Sequence, residues 1–362
     1  LDFSTLLPGP MATLMLAEAG AEVIKLERPG TGEDMRLTEP KIEGRSLGYA
    51  ILNRGKKSIA LDLKAAGAVA SLRSLIKKAD VIVEQFRPGV MDRLGLGYNA
   101  VRMLNPGIIY CSITGYGQSG PKRDAAGHDM NYVGDAGILS LSSGPVDSPT
   151  APFGLIADIG GGTYPAIMNI LLALRQRDKT GQGVHLDIAM SEGAFAFAYW
   201  AHVKGVIAGE PIENGGDRLT GGRARYRLYS ASDGRQVAVG ALEQKFWDAF
   251  CNVIDLPRHL RDDLADPAAT KAEVARRIVV KSSAHWAPLL EAADCCCTIV
   301  KTPAEAAADP HFTARDTFGR VVSVGGEQVP ALPLPIAPEF RGAVADSRAA
   351  PDLGEQNAEF GL

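Results

Sequence analysis

Two side chains able to move a proton, His128 and Asp158, stand thirty residues apart in the stretch 127–163. Asp158 is followed by three glycines at 160–162 and then by an apolar, helix-like run at 164–174. Glycines let the backbone come close to a bound group, and the start of a helix offers unpaired N–H groups and positive dipole charge. The pattern predicts acid/base chemistry in which an oxygen gains negative charge. The alternative is that Asp158 only caps the helix.

The composition is typical of a soluble globular protein, with 46% apolar and 22% charged residues among 362. This length predicts two domains of ordinary size. A net charge of −4 gives no reason to expect a nucleic acid or an anionic membrane as partner. A local basic pocket for an anionic ligand remains compatible with that charge.

The five cysteines include three consecutive ones at 295–297, and no CxxC spacing occurs. This pattern fits neither a disulfide framework nor a zinc site, so we expect no metal and a reducing compartment, the cytoplasm. No apolar run reaches the length of a membrane span, so no membrane partner is expected. Leu1 already reads as part of a strand; we expect residues before it, and a removed targeting segment stays open.

Short apolar strands alternate with helices from the start of the chain. We predict strands at 1–4, 21–27, 58–63, 81–86, 108–114 and 184–190, and helices at 11–19, 65–79, 90–104, 164–174 and 191–203. This alternation is typical of a parallel α/β sheet. Ligands of such sheets bind beyond the carboxyl ends of the strands, where Arg28, Arg87 and the loop GYGQSG (115–120) lie.

The α/β rhythm stops near residue 207. Residues 206–225 are Gly-rich and irregular, and we interpret them as a linker. A strand at 236–242 and helices at 246–254 and 284–293 then predict a second, smaller domain of α+β type at 226–310.

Eight passages in order match a known family: 6–30 (LLPGPMATLMLAEAGAEVIKLERPG), 53–64 (NRGKKSIALDLK), 83–98 (VEQFRPGVMDRLGLGY), 113–121 (ITGYGQSGP), 127–132 (GHDMNY), 157–162 (ADIGGG), 180–190 (TGQGVHLDIAM) and 233–247 (DGRQVAVGALEQKFW). On these passages the chain resembles the class III CoA-transferase superfamily. Its GHDMNY passage resembles the α-methylacyl-CoA racemase branch.

The resemblance implies an architecture that composition and periodicity do not show. It implies a Rossmann-like large domain formed by 1–205, with a parallel sheet, and completed by 319–362 as the chain returns from residue 311. It also implies an interlocked homodimer that acts in lipid metabolism. The substrate would be an acyl-CoA thioester, and no cofactor is needed beyond the CoA that the substrate carries.

In the racemases, the histidine of GHD and the aspartate before GGG are the two acid/base groups, and they match His128 and Asp158. Racemising a 2-methylacyl thioester removes the Cα proton from one face and returns a proton to the other, through an enolate. Backbone N–H groups at Asp158 and the following glycines would stabilise the enolate oxygen. The family further implies that Glu243 pairs with His128 and holds its tautomer; alternatively, Glu243 is a solvated residue at a helix start.

Other residues fall on positions of the racemase substrate pocket. Tyr132 and Tyr226 match tyrosines that line it, although either side chain could be structural. Gly160 and Gly161 would lie beside the substrate. Asp129 is either the group that orients His128 or a turn former.

Cationic groups at strand ends are expected to bind the phosphates of CoA. The positions that the family uses for CoA, or their neighbours, are Arg28, Arg54, Lys64 and Arg93, and Arg87 is a further candidate. Phe86 matches a position beside the adenine.

The chain departs from the racemase pattern at two places. The passage GGRARY (221–226) has Ala224 in place of Pro and adds Arg223 and Arg225. Two cations near the acyl pocket would favour a carboxylated or polar acyl group. A second departure is DCCCTIV at 294–300, which lacks the proline that follows in the racemases.

Three other functions remain open. In a CoA-transferase, Asp158 would attack the thioester and form a mixed anhydride. Only the racemase needs His128, so that residue separates the two reactions. A non-catalytic acyl-CoA-binding protein is the third reading, and the presence of both His128 and Asp158 argues against it. A nicotinamide-dependent dehydrogenase is disfavoured because the first strand–helix unit lacks GxGxxG.

Overall fold

A computed structural model describes residues 1–341 and 349–362 and divides the chain into two compact units. The large unit comprises Leu1–Ala136, Phe153–Phe197 and Pro310–Leu362. The small unit comprises Gly137–Pro152 and Ala198–Asp309.

The small unit begins earlier than the composition suggested. Segments 137–152 and 198–205, which the sequence argument placed in the large domain, lie in it, and so does the segment interpreted as a linker. That segment has fixed partners: Asp217 pairs with Lys204 at 2.7 Å. A high glycine content alone therefore did not show that this segment is part of the small unit.

The strands, in chain order, are β1 Ile24–Glu27, β2 Lys41–Ile42, β3 Arg45–Ser46, β4 Lys57–Ala60, β5 Val81–Glu84, β6 Ile109–Thr114, β7 Val184–Ala189, β8 Tyr226–Ser230, β9 Gln236–Gly240, β10 Cys297–Ile299, β11 Val321–Val324 and β12 Glu327–Pro330. The helices are α1 Pro8–Glu18, α2 Leu47–Asn53, α3 Ala68–Lys78, α4 Val90–Arg93, α5 Tyr98–Leu104, α6 Asp129–Asp135, α7 Tyr164–Thr180, α8 Met190–Ala194, α9 Tyr199–Ala201, α10 Gln244–Val253, α11 Pro267–Ile278, α12 Ser283–Ala293, α13 Pro303–Ala307 and α14 Pro310–Ala314. None of the helices within the described residues is long and apolar enough to cross a membrane.

Parallel strands form the centre of the large unit, as the α/β pattern predicted. β4 pairs with β1, and β5, β6 and β7 pair in that order, all parallel. The predicted strand at 1–4 is reduced to Asp2, which bridges both Lys25 and Val83 and so joins the two groups of strands. The fold is therefore mixed α/β with a parallel sheet whose carboxyl ends share one edge.

Apolar side chains of the strands and helices pack into one core of the large unit. Strand residues Ile59 and Ile82, and Ile108 just before β6, are almost fully buried in a cluster with Leu72 and Ile76 of α3. Residues buried at this depth each contribute about 1.5 to 3 kcal/mol by leaving water. This core fixes the strand ends that carry the site.

The predicted helix at 191–203 is wrong as a single element. It divides into α8, a 3₁₀ turn at Phe195–Ala198, α9 and a π-helical turn at His202–Ile207. Gly193 packs directly on the backbone of Gly161, so tertiary contacts override the local helical preference. The predicted helix at 90–104 is likewise interrupted between α4 and α5.

The small unit has an antiparallel sheet in the order β10–β9–β8. Trp247 and Phe250 of α10 and Trp286 of α12 fill its core, where both tryptophans are nearly inaccessible to solvent. The indole N–H of Trp247 donates to the carbonyl of Arg261 at 2.7 Å. This unit has its own hydrophobic core, as expected for an independent domain.

Candidate active site

Asp158 lies inside a π-helical segment, Ile156–Thr163, that leads directly into α7. The residue at the N-cap of α7 is Thr163, five positions further on. The expectation that Asp158 stands immediately before the helix, and the alternative that it caps the helix, are therefore both wrong. A π-helical turn places one extra residue in the helix and is frequent at functional sites.

The glycines after Asp158 serve packing. A Cβ on Gly161 would lie 2.1 Å from the carbonyl oxygen of Met190 in α8, and one on Gly193 would lie 2.5 Å from Gly161. Gly160 faces the ring of Phe197, 2.2 Å from the position of a Cβ. These glycines let the π-helical segment and α8 touch backbone to backbone. The prediction that their backbone comes close to a bound group stays a prediction.

His128 is the N-cap residue of α6, and its side chain is exposed. Its own N–H donates to the side-chain oxygen of Asn131 at 3.0 Å. This bond closes the first turn of the short helix. The imidazole is thereby presented to solvent from a backbone position that is held firmly.

Asp129 joins His128 to Asp158. Its buried carboxylate accepts the backbone N–H of Asp158 at 2.9 Å. Asp129 therefore holds the π-helical segment against the start of α6, rather than acting as a turn former. The backbone N–H of Asp158 was expected to stabilise the enolate oxygen. It already donates to Asp129 and is therefore not free to do so.

Tyr132 fixes the other side of His128. Its hydroxyl donates to the carbonyl of Gly127, and its ring fills the space where a Cβ on either Gly115 or Gly127 would stand, at 2.3 and 2.6 Å. Desolvation raises the pKa of Tyr132, as do the nearby carboxylates, whereas the charge of Arg87 opposes this. Arg87 thus lies within electrostatic reach of the site.

The electrostatic environment of Asp158 favours its protonated form. Burial, followed by the charge of the Asp129 carboxylate, raises the pKa of Asp158 from 3.8 to about 6. The positive charge of His128 acts in the opposite direction. A carboxyl of this kind gains and loses a proton close to neutral pH, which suits a general acid or base.

A cavity of about 730 Å³ lies at the carboxyl ends of the parallel strands in the large unit; we call it the strand-end cavity. Four of the residues expected to bind CoA line it, namely Arg28, Lys64, Phe86 and Arg93. Its size and its place in the sheet suit a ligand of nucleotide type. Arg87 does not line it; it follows Phe86 in the chain, and its charge acts on Tyr132.

Arg54 does not fit the role expected of it. Its guanidinium is buried, pairs with Glu18 at 2.8 Å and donates to the carbonyls of Ile51 and Leu332 at 2.6 and 3.2 Å. A cation held by these partners serves the packing of α1 and α2. The sequence could not show this, because Leu332 lies far along the chain.

Glu243 and Tyr226 belong to the small unit. Glu243 is the N-cap residue of α10 and is exposed, and its side chain forms no capping hydrogen bond. Tyr226 opens β8 and is 37% exposed. The expected pairing of Glu243 with His128 stays a prediction.

The two arginines that depart from the racemase pattern share one acceptor. Arg225 and Arg223 contact the fully buried carboxylate of Asp263 at 2.6 and 2.7 Å. Arg225 also lies over the ring of Trp247, at 5.1 Å. These contacts stabilise the small unit, so the expected attraction for a carboxylated acyl group loses its basis.

Asp263→Ala is expected to destabilise the protein by about 3 to 5 kcal/mol, because it leaves two cations around a buried, unpaired site. Denaturant unfolding followed by tryptophan fluorescence measures this, since Trp247 contacts the cluster. Asp262→Ala, which removes a neighbouring exposed carboxylate, is the control and is expected to cost less than about 1 kcal/mol. Equal effects of the two substitutions would contradict the assignment.

Sequence reasoning missed Asp263 and Glu84. Asp263 lies 38 residues from Arg225, and no spacing rule connects two such positions. Glu84 is inside the VEQF passage but carries no motif of its own. A carboxylate inside the mostly apolar predicted strand at 81–86 was the one available signal.

The model for CoA-transferase family III matches residues 1–357. The chain belongs to CoA-transferase family III. Its relatives include enzymes of two kinds, so membership alone leaves the reaction open.

Among the relatives, human alpha-methylacyl-CoA racemase is 33% identical over 99% of this chain and 90% of its own length. The acetyl-CoA:oxalate CoA-transferase of Acetobacter aceti is 32% identical over 99% and 92%. Solved structures agree in fold. A CAIB/BAIF family protein from Brucella suis matches with a TM-score of 0.81 at 29% identity, covering 99% of this chain and 95% of its own. A protein from Mycobacterium tuberculosis matches with a TM-score of 0.84 at 27% identity, covering 99% and 96%.

Proposed function

We propose that this protein racemises a 2-methylacyl-CoA thioester, with His128 and Asp158 as the two acid/base groups and no cofactor beyond the CoA of the substrate. One observation carries the proposal: a half-buried carboxyl with its pKa raised to about 6 lies within electrostatic reach of an exposed histidine. This carboxyl gains and loses a proton near neutral pH, and histidine is the side chain that most often acts as a general acid or base. The strand-end cavity supports binding of the CoA part.

The proposed reaction has two proton transfers. Neutral His128 takes the Cα proton from one face, the C–H bonding electrons move into an enolate, and protonated Asp158 gives a proton to the other face. The reverse reaction exchanges the two roles. Because Asp129 occupies the Asp158 N–H, we propose that the new imidazolium of His128, together with Arg87, balances the enolate charge.

The expected homodimer belongs to the same proposal, as do a Rossmann-like description of the large unit, a cytoplasmic location and a role in lipid metabolism. Apolar side chains on one face of α7 support the dimer: Tyr164, Met168, Leu171 and Leu172 are between 41% and 60% exposed. Their spacing follows the helical repeat. An exposed apolar face of this extent is typical of an interface.

A second candidate is CoA transfer between carboxylic acids. The Asp158 carboxylate would attack the thioester carbonyl and release CoA as its thiolate, leaving an aspartyl mixed anhydride. A carboxyl with a pKa of about 6 is mostly ionised above neutral pH, so Asp158 can serve either reaction. The similar identities of racemase and transferase relatives keep this candidate open.

The deciding experiment incubates the purified protein with a 2-methylacyl-CoA in deuterated water without an acceptor acid. We expect deuterium at Cα and loss of optical purity, followed by mass spectrometry and chiral analysis. Transfer of CoA to an added carboxylic acid, with no exchange at Cα for several acyl-CoAs, would refute the racemase and support the transferase. Binding with neither reaction would leave a non-catalytic acyl-CoA-binding protein.

The role of Asp129 gives a prediction for the pH dependence. Asp129→Asn keeps an oxygen that can accept the Asp158 N–H but removes the charge that raises the pKa of Asp158. For the enantiomer from which Asp158 removes the Cα proton, the reaction needs the carboxylate, and the acid limb of its exchange rate is expected to move to lower pH. Initial rates of deuterium incorporation between about pH 5 and pH 9 measure it. An unmoved limb would show that the charge of Asp129 does not act on the catalytic pair.

A further inference from the structure

Glu84 ends β5 with its side chain buried, 4% of the residue being exposed. Its carboxylate accepts the backbone N–H of Phe86 at 2.8 Å. Phe86 lines the strand-end cavity, and the next residue, Arg87, acts electrostatically on Tyr132. A single turn therefore connects the cavity with the acid/base pair, and Glu84 holds that turn from inside the sheet.

The carboxylate of Glu84 is in turn held by the neighbouring strands. Ser112 of β6 stands opposite Glu84 in the parallel register and donates a hydrogen bond to it. The Ser112 hydroxyl also contacts Nε2 of His185 on β7 at 2.9 Å. The His185 ring stacks on Tyr98 of α5, with centroids 5.2 Å apart. These contacts extend from β5 through β6 to β7 and hold the Glu84 carboxylate in place.

Keeping a carboxyl at this place is costly. Burial raises the pKa of Glu84 to about 7, although the hydrogen bonds from Ser112 and Phe86 act in the opposite direction. A buried acid is destabilising unless its hydrogen bonds compensate. The Glu84 carboxyl takes no part in the proposed proton transfers and does not line the strand-end cavity. Its role therefore has to come from the residues to which it is hydrogen-bonded.

We propose that Glu84 is a positioning residue for acyl-CoA binding: through the Phe86 N–H it sets the turn 85–89, which places the Phe86 ring in the cavity wall and Arg87 beside the site. This inference rests on the proposed binding of CoA in the strand-end cavity. Loss of the carboxylate lets the turn relax and weakens binding of the CoA part, while His128 and Asp158 keep their positions on other elements.

The test compares Glu84→Ala with Glu84→Gln, using CoA itself as the probe in calorimetric titration and a 2-methylacyl-CoA in the exchange assay. Glu84→Ala is expected to raise the Kd for CoA and KM about tenfold or more. The loss in kcat is expected to be smaller than this, because Arg87 shifts with the turn while His128 and Asp158 keep their positions. Glu84→Gln is expected to restore binding, because its amide oxygen accepts the Phe86 N–H and its NH₂ group faces Ser112. Ser112→Ala, which removes one support of the carboxylate, is expected to have an intermediate effect.

Asn105→Ala is the control. Asn105 donates to the carbonyls of Ile76 and Ala79 at 2.9 and 2.8 Å, and so stabilises the end of α3 without touching the turn. Its loss is expected to lower Tm and leave the Kd for CoA unchanged. If Glu84→Ala does not fold, Glu84→Gln and Ser112→Ala decide: wild-type Kd for Ser112→Ala, or a weakened Glu84→Gln, overturns the inference.

Two failures are distinguishable. Wild-type protein that does not bind CoA refutes the proposed site, and the role of Glu84 falls with it. Wild-type protein that binds CoA, beside a folded Glu84→Ala variant of equal affinity, refutes the role of Glu84 alone.

Discussion

Replacing His128 by alanine is expected to lower the rate of deuterium incorporation at Cα by about 10²- to 10⁴-fold, the range for loss of a general base. His128 is exposed at the N-cap of α6 and buries no core contact, so the fold should tolerate the change. The Kd for CoA is expected to stay near that of the wild type. The measurement is the initial rate of exchange at saturating 2-methylacyl-CoA.

The matched control is His259→Ala, which removes an exposed histidine from the 3₁₀ turn Arg258–Leu260. It should leave the exchange rate unchanged. A His128→Ala variant that still exchanges at the wild-type rate would rule out the two-base mechanism. If that variant loses exchange but moves CoA to an acceptor acid, the protein catalyses both reactions and His128 serves only one.

Asp158→Asn is expected to lose both candidate reactions and yet to be the more stable protein above pH 6. The pKa of Asp158 is raised from 3.8 to about 6. Below pH 3.8 the carboxyl is protonated in the folded and unfolded chains, and it costs nothing. As the pH rises toward 6, the unfolded chain releases its proton first, so wild-type stability falls until the folded carboxyl is ionised as well.

Asparagine removes this pH-dependent cost. Above pH 6 the variant is expected to gain about 1 to 2 kcal/mol over the wild type, a value reduced from the full shift because the carboxyl is partly exposed to solvent. The two proteins should be equally stable near pH 4. Tm values at about pH 4 and pH 7.5 measure the difference. A constant difference across this range would mean that the carboxyl has an ordinary affinity for protons in the folded chain.

The parallel sheet was predictable from the sequence because the strands are short apolar runs and the helices between them show the spacing of apolar residues that is typical of a helix. The large unit follows that pattern from β1 to β7. Residues at the strand ends, such as Arg28 and Phe86, were predictable for the same reason: the ends of parallel strands meet at one edge. Local pattern and global fold agree in these elements.

Other features depend on contacts between distant residues and were not predictable. The π-helical conformation around Asp158 is stabilised by the acceptor Asp129 and by close packing on α8. The ion pairs of Arg54 and Arg225 depend on Glu18 and Asp263, which lie 36 and 38 residues away. The sequence alone does not distinguish an arginine that pairs with a buried carboxylate from an arginine that binds a phosphate.

The hydrogen bond from the Asp158 amide to Asp129 has a consequence for biosynthesis. In a newly made chain, residue 158 is an ordinary acid with a pKa near 3.8. It gains its unusual proton affinity only when folding has buried it beside the carboxylate of Asp129. The raised pKa of this carboxyl is therefore created by the completion of folding, and a partly folded chain carries an ordinary acid at residue 158.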